Sequence, residues 1–365
     1  MFFILTFVFF IIALTGLLSK FKFGGVVNFI ITLSLLYLVF LFITYTPDRA
    51  FYTYWIDMPE LAVDKEPTFK LVASYIRSHN YDYQFLHVSF LSVYCFIYLY
   101  FISRFNNNVF LITVLYIPIV FLFYGTQLRY FLGYYSVLLG LYYMTVTKDR
   151  IPAIICFLFA FLSHYSLLVF VPVYFLLKIE GKFFKKIIIT TIITFVGYAF
   201  LMNIVFKVLL GSRFISYIEG DYVSSYLGGL FTFATLLPVY YLVDSYYKSR
   251  LKWNPKLEYD LTFSYLYKMS LVSMVFTGIA LTAQVIGQRV IIPGMLLPIL
   301  MFFYKLDEVK NSRLKMKYIC AFTIVWIALF FHSNFSTGVF LGEWEYTEEI
   351  EKMIQSNIVL KYIIE

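Results

Sequence analysis

Residues 148–186 read KDRIPAIICFLFAFLSHYSLLVFVPVYFLLKIEGKFFKK, and the number of times this stretch crosses a membrane decides the topology of everything after it. It is apolar between basic ends, with interruptions at Pro152, Ser163-His164 and Pro172. As one helix it would carry Lys178, Lys182, Lys185 and Lys186 to the face opposite Lys148 and Arg150. As two shorter crossings that turn near His164, it returns them to the same face. Loop lysines and arginines gather on the cytoplasmic side of a membrane, and that bias favours two crossings. With the loop after the first apolar run inside, most of the 29 basic residues then lie inside, and most of the 21 acids outside.

The rest of the chain supports a membrane reading. Hydrophobic residues make up 61% and charged residues 14%, against about a quarter charged in soluble domains. Further apolar runs fall near 1–19, 23–45, 83–103, 109–125, 128–147, 186–210, 224–247, 263–284, 287–305 and 317–334. The expected architecture is therefore all-α and polytopic, with about twelve spans of ~20 residues, or about eleven if 148–186 crosses once. Residues 1–334 read as one transmembrane domain, including a long outer loop at 46–82. Residues 335–365 form a tail on the same side, with a short amphipathic helix in 345–360 (EYTEEIEKMIQSNIVL). The first segment lacks a basic leader and reads as a retained span. The net charge of +8 thus expresses orientation, not nucleic-acid binding. Three scattered cysteines and four histidines give no metal or disulfide spacing, and no cofactor is expected.

Charges at a membrane edge are costly and mark candidate sites. On the outer side, Arg129 lies in the turn Tyr124-Gly-Thr-Gln127-Leu-Arg129-Tyr130, and Arg289 in the turn Gln284-Val-Ile-Gly-Gln288-Arg289; Arg213 opens the loop 211–223. A guanidinium fork suits phosphate oxygens, although a lone arginine at a span end also simply snorkels to headgroups. His164, between Ser163 and Tyr165, carries an imidazole, a group whose unperturbed pKa near neutrality suits proton transfer. Glu66 and Asp48 stand out among the loop carboxylates as candidate bases. Glu66 precedes Pro67 and an apolar helix; Asp48 follows Pro47 beside a span. Tyr52 and Tyr130 belong to a cluster near the outer interface that forms an aromatic belt or stacks on sugars.

The order Asp48-Arg-Ala-Phe-Tyr52, Glu66-Pro67-Thr-Phe, Gln127-Leu-Arg129-Tyr-Phe-Leu-Gly, Phe161-Leu-Ser-His164-Tyr-Ser and Gly287-Gln-Arg289 resembles the EpsG-like branch of Wzy-type polysaccharide polymerases over roughly residues 40–305. The family typically shows an adjacent Arg-Gln pair, whereas here Gln127 precedes Arg129 by two positions. The resemblance implies a glycosyltransferase of C-type architecture in the bacterial inner membrane, with its site facing the periplasm. It would join undecaprenyl-diphosphate-linked oligosaccharide repeats into O-antigen or capsular polysaccharide, in a membrane-lipid setting and with a chain-length regulator as an added partner. It implies Arg129, Arg289, Arg213, Gln127 and Gln288 around the lipid diphosphate, His164, Glu66 or Asp48 as base, and Tyr52 and Tyr130 against sugar.

Other classes fit less well. A lipid-linked oligosaccharide flippase should show two related halves and charges along a central cavity, but here they gather at one face. A membrane O-acyltransferase should carry an early His/Arg arrangement, whereas the first histidine is His79. An O-antigen ligase shares the polymerase architecture and remains open, although the residue order leans away from it.

Overall fold

In hydrocarbon every backbone N–H and C=O must find its partner within the protein, and a continuous helix does this alone. The computed structural model describes residues 16, 24–58, 60, 65–199, 226–280, 284–333 and 345–359. Among the described residues the chain is helical apart from turns, and an isolated bridge between Ile43 and Asn357 is the only β-type pairing. Three helical runs there are long and apolar enough to cross a membrane: Tyr83–Ser103, Gly287–Glu308 and Ser312–Phe331. The expected first span at 1–19, Gly16 apart, and the loop carrying Arg213 lie outside the described residues. The chain divides into two compact units, Met1–Val171 with Glu348–Glu365, and Pro172–Thr347.

The first unit contains α1 (Gly24–Phe40), α2 (Arg49–Asp57), α3 (Pro67–Ser78), α4 (Tyr83–Ser103), α5 (Val109–Thr126), α6 (Leu128–Tyr142) and α7 (Arg150–Ser163). Local chemistry sets several starts: Asp82 accepts from the Gln84 N–H at 3.0 Å and Asn108 from the Leu111 N–H at 3.1 Å, the usual satisfaction of a helix's first donors. The α5 and α6 helices break at Gln127 (φ −137°, ψ 38°). They fold back on one another, so that the Tyr116 and Tyr135 hydroxyls meet at 2.5 Å and the Tyr124 and Phe131 rings at 5.9 Å.

Small residues bring α6 against α7. A Cβ on Gly133 would lie 2.9 Å from the Ala160 carbonyl oxygen and would strike the Leu167 side chain, and one on Gly140 would press on the Phe157 ring at 3.1 Å. Between them the Ser136 hydroxyl donates to the Cys156 carbonyl at 3.1 Å. Where lipid tails are as apolar as leucine, such close backbone packing is what drives helices together. Because the pair is antiparallel, the start of α6 stands beside the end of α7. The α7 helix stops at His164, whose backbone is extended (φ −159°, ψ 115°), and tighter 3₁₀ turns follow over Tyr165–Phe170. The 148–186 stretch is thus broken at His164 and again before Gly181, not one long helix.

The end of α1 is buried, so its carbonyls take side-chain donors. Gln84 Nε2 donates to Leu41 and Ile43 (2.8 and 3.2 Å), His87 Nε2 to Phe40 (3.0 Å), and Asn357 Nδ2 to Leu38 and Val39 (3.2 and 2.7 Å). The Tyr45 hydroxyl donates to Glu349 at 2.7 Å and Thr44 to the Ser356 carbonyl at 3.0 Å. The C-terminal helix Glu345–Gln355, with Met353 buried, is tied from Glu349 onward to the segment that leads into α2.

The second unit holds α8 (Val173–Leu177), α9 (Gly181–Ala199), α10 (Tyr226–Trp253), α11 (Leu261–Val275), α12 (Thr277–Ala280), α13 (Gln284–Gly294), α14 (Leu296–Phe303) and α15 (Ser312–Phe331). Gln284–Arg289, expected as a turn, instead forms the first turns of α13. Gly287 packs so closely on Ala280 that a Cβ there would collide with it. The apolar run that begins at Gly287 makes a helix the satisfied backbone state. At the other end of this unit Lys268 Nζ donates to the Leu177 and Ile179 carbonyls, both at 2.7 Å, and so finishes α8.

Candidate functional site

Three residues marked in the sequence, on three separate elements of the first unit, meet at one place. Proline suits the first turn of a helix because it has no N–H to leave unsatisfied there, and Pro67 opens α3. The residue before a proline is held extended, as Glu66 is (φ −66°, ψ 151°), and its carboxylate makes no cap bond to its own helix. It turns instead to Arg129 in the first turn of α6: Arg129 Nη1 donates to Glu66 Oε2 in a short ion pair. The other oxygen, Glu66 Oε1, lies 3.9 Å from Nδ1 of His164, where α7 ends. The hydroxyl of Ser166 sits 2.8 Å from the same nitrogen. Thr68 fastens α3 to α7 by donating to the Leu162 carbonyl at 2.9 Å.

The side chains of Glu66, Arg129 and His164 are 9%, 13% and 16% exposed. They are largely buried, each with a small exposed fraction. The Nε of Arg129 is buried with no acceptor among the described residues, so the fork of donors is incompletely used. Aromatic rings wall the guanidinium: its Cζ lies 5.1 Å from the centroid of Trp55, 5.4 Å from Phe69 and 5.6 Å from Tyr52, within cation–π range. Burial pushes the Tyr52 phenol above its ordinary pKa, while the charge of Arg129 works against that rise. Tyr52 therefore stays a neutral hydroxyl beside the ion pair.

The remaining expected residues are distributed as follows. Asp48 is the N-cap residue of α2 without a side-chain cap bond, and its charge is felt at Tyr52. Tyr130 is buried with its ring edge-on to His164, 5.3 Å between centroids. Gln127 stands at the α5–α6 break, its Oε1 buried without a partner among the described residues. Gln288 and Arg289 lie in α13 of the second unit, with Gln288 buried. Arg213 is outside the described residues. Tyr52 itself is enclosed, 3% exposed, by the rings of Trp55, Phe69 and Tyr83.

Sequence reading gave Phe69 no role, took Ser166 only as part of the Ser163-His164-Tyr165-Ser166 pattern, and left Trp55 in the aromatic cluster near the outer interface. A signal was present for two of them: Tyr52 and Trp55 are three positions apart and share a face of α2. Ser166 follows His164 by two residues, but only the break in α7 turns its hydroxyl onto the ring. Among the described residues no group of three His, Cys, Asp or Glu is placed to hold a metal ion.

An apolar helical chain with three clear span-length helices among the described residues and a largely buried carboxylate–guanidinium–imidazole cluster defines an integral membrane protein with a built polar site. Its sequence matches the EpsG family over residues 47–347, and the chain belongs to that family, a polysaccharide-polymerase-like family of membrane proteins. No curated protein and no solved structure matches it.

Proposed function

We propose that the protein polymerises undecaprenyl-diphosphate-linked oligosaccharide repeats into O-antigen or capsular polysaccharide at the periplasmic face of the inner membrane. About twelve spans with C-type glycosyltransferase architecture would carry the site. The observation behind this reading is the convergence of Glu66, Arg129 and His164 from α3, α6 and α7 beside an aromatic wall. Such a transfer needs a base for the acceptor hydroxyl and a lasting positive charge for the departing diphosphate. An imidazole and a guanidinium supply both.

In the reaction the acceptor sugar's O–H gives its proton to His164, and the oxygen attacks the anomeric carbon of the donor chain. The bond from that carbon to the diphosphate oxygen breaks, and undecaprenyl diphosphate leaves with its charge held by Arg129. Ser166 and Glu66 orient the imidazole, and proton exchange runs through Nε2. Glu66 occupies Arg129 until a diphosphate competes for it. Arg289, Gln288 and Arg213 belong to the same anion-binding role, and Asp48 is the reserve base. Trp55, less enclosed than Tyr52 or Tyr130, is the ring best placed to stack on sugar.

A deletion strain tests the assignment by electrophoresis of its surface polysaccharide. A ladder that collapses to a single repeat supports a polymerase. Complete loss of repeats would instead fit a flippase, and an unchanged ladder refutes the proposal.

A further inference from the structure

A second built feature lies in the second unit, on helices that contribute nothing to the Glu66–Arg129–His164 cluster. An apolar groove of about 170 Å³ runs along α9, α10 and α11, lined by Ile189, Ile193, Leu236, Leu237, Tyr240 and Met274. Ile193 and Leu237 are well exposed, and the Tyr240 hydroxyl is buried without a hydrogen-bond partner among the described residues. One helical turn along α10 from Tyr240 is Asp244, and one turn back along α9 from Ile189 is Lys185. Residues four apart share a helix face, so the groove ends on those two side chains.

At that end the charges do not balance. Asp244, nearly buried, takes Lys185 Nζ at 2.6 Å and Lys248 Nζ at 2.8 Å on the same oxygen, Oδ2. The Tyr267 hydroxyl donates to its other oxygen at 2.8 Å. Two ammonium groups against one carboxylate leave a surplus of positive charge, and Lys248 is 64% exposed. A hydrocarbon trough closed by excess cation matches the chemistry of an anionic lipid.

We infer that this groove binds an anionic glycerophospholipid of the membrane, the upper part of one acyl chain between α9 and α10 and the phosphodiester on Lys185 and Lys248. The buried Tyr240 hydroxyl then acquires an acceptor in the lipid's ester region. Loop charges place Lys185 and Lys248 on the inner side, where anionic lipids hold basic segments. Asp244 fixes the two lysines at the groove mouth and keeps the site from becoming a general anion trap. This inference stands apart from the polymerase reading, because no residue is shared.

Native mass spectrometry of the purified full chain tests it, after transfer from nanodiscs containing phosphatidylglycerol and phosphatidylcholine. The wild type should retain phosphatidylglycerol selectively. Lys248→Gln, which leaves the buried Lys185–Asp244 pair intact, should lower that retention by about fivefold. Ile193→Trp, which fills the groove from an exposed position, should lower it without touching a charge. Equal retention of the two lipids, or phosphatidylglycerol retention unaffected by both variants, overturns the inference. Displacement of the bound lipid by undecaprenyl phosphate at equal concentration also overturns it, because the groove would then belong to the polyprenyl carrier.

Discussion

Among the described residues two arginines lie largely buried under aromatic rings, one in each unit, and their partners give them different work. Arg250, in the last turn of α10, is 1% exposed and lies within 6 Å of the rings of Tyr246, Phe263 and Tyr318. Its donors go to the Tyr246 hydroxyl at 2.6 Å and to the carbonyls of Tyr304 and Lys305 at 3.3 and 3.2 Å. Those carbonyls follow α14, and Lys305 takes the left-handed backbone (φ 49°) that ends a helix. Arg250 is a helix cap whose two Nη groups donate to neutral acceptors and which is closed to solvent. Arg129 has similar rings and, like Arg250, an Nε without an acceptor among the described residues, but its partner is a carboxylate and an imidazole stands nearby. Burial and cation–π contact alone therefore do not mark a site; a replaceable anionic partner and access do.

The contrast can be broken by substitution, and the largest effect is expected at Arg129. Loss of one donor to a developing oxyanion typically costs about 100- to 1,000-fold in rate, and Arg129→Gln should lower polymer yield on that scale. Arg129→Lys keeps the charge but not the fork and should recover only part of it, as read from polymer formed per membrane-inserted molecule. Next, Glu66→Gln keeps a hydrogen-bonding partner for Arg129 while removing the charge that orients His164. It should reduce yield by about tenfold, and double variants should show that Glu66 and His164 do not act additively.

Arg250→Met should act in the opposite way. It leaves two carbonyls without donors, a cost of about 2–3 kcal/mol, and should lower the thermal midpoint and abundance while polymer per molecule stays near wild type. Gly133→Val should push α6 from α7 and so separate Arg129 from His164. Its expected signature is a moderate loss of both stability and yield, with Gly133→Ala milder. The smallest effect concerns pH. Burial works against the Asp260 carboxylate, but bonds from Lys305 Nζ (2.8 Å) and the Phe263 N–H (3.1 Å) hold its pKa below the ordinary value. Its stabilisation is present above the ordinary carboxylate pKa of about 4 and is lost as pH falls through the depressed one. Asp260→Asn should flatten that part of a thermal-stability profile of the purified protein.

Much of the helical layout was legible. The run at 83–103 is α4 residue for residue, and the interruption at Ser163-His164 is a real break, because apolar length and breakers are local signals. The reading of Gln284–Arg289 as a turn failed for a tertiary reason: Gly287 is there to meet Ala280, not to reverse the chain. At the site, Glu66, Arg129 and His164 were each visible by context, but their union was not. Glu66 and Arg129 are 63 residues apart, and no periodicity joins them. Arg250 was invisible as a cap because a basic residue at the end of an apolar run looks the same whether it faces lipid headgroups or a neighbouring helix end.

If the Glu66–Arg129–His164 cluster carries out polymerisation, a single gel shows it. A deletion strain is complemented with Arg129→Gln, with the double variant Glu66→Gln/Arg129→Gln, which leaves no unpaired buried charge, or with Arg250→Met, all matched for membrane abundance. The expected result is a single-repeat band for both Arg129 variants and a normal ladder for Arg250→Met. A full-length ladder from the abundance-matched Arg129→Gln strain would mean that the cluster does not carry out the polymerisation.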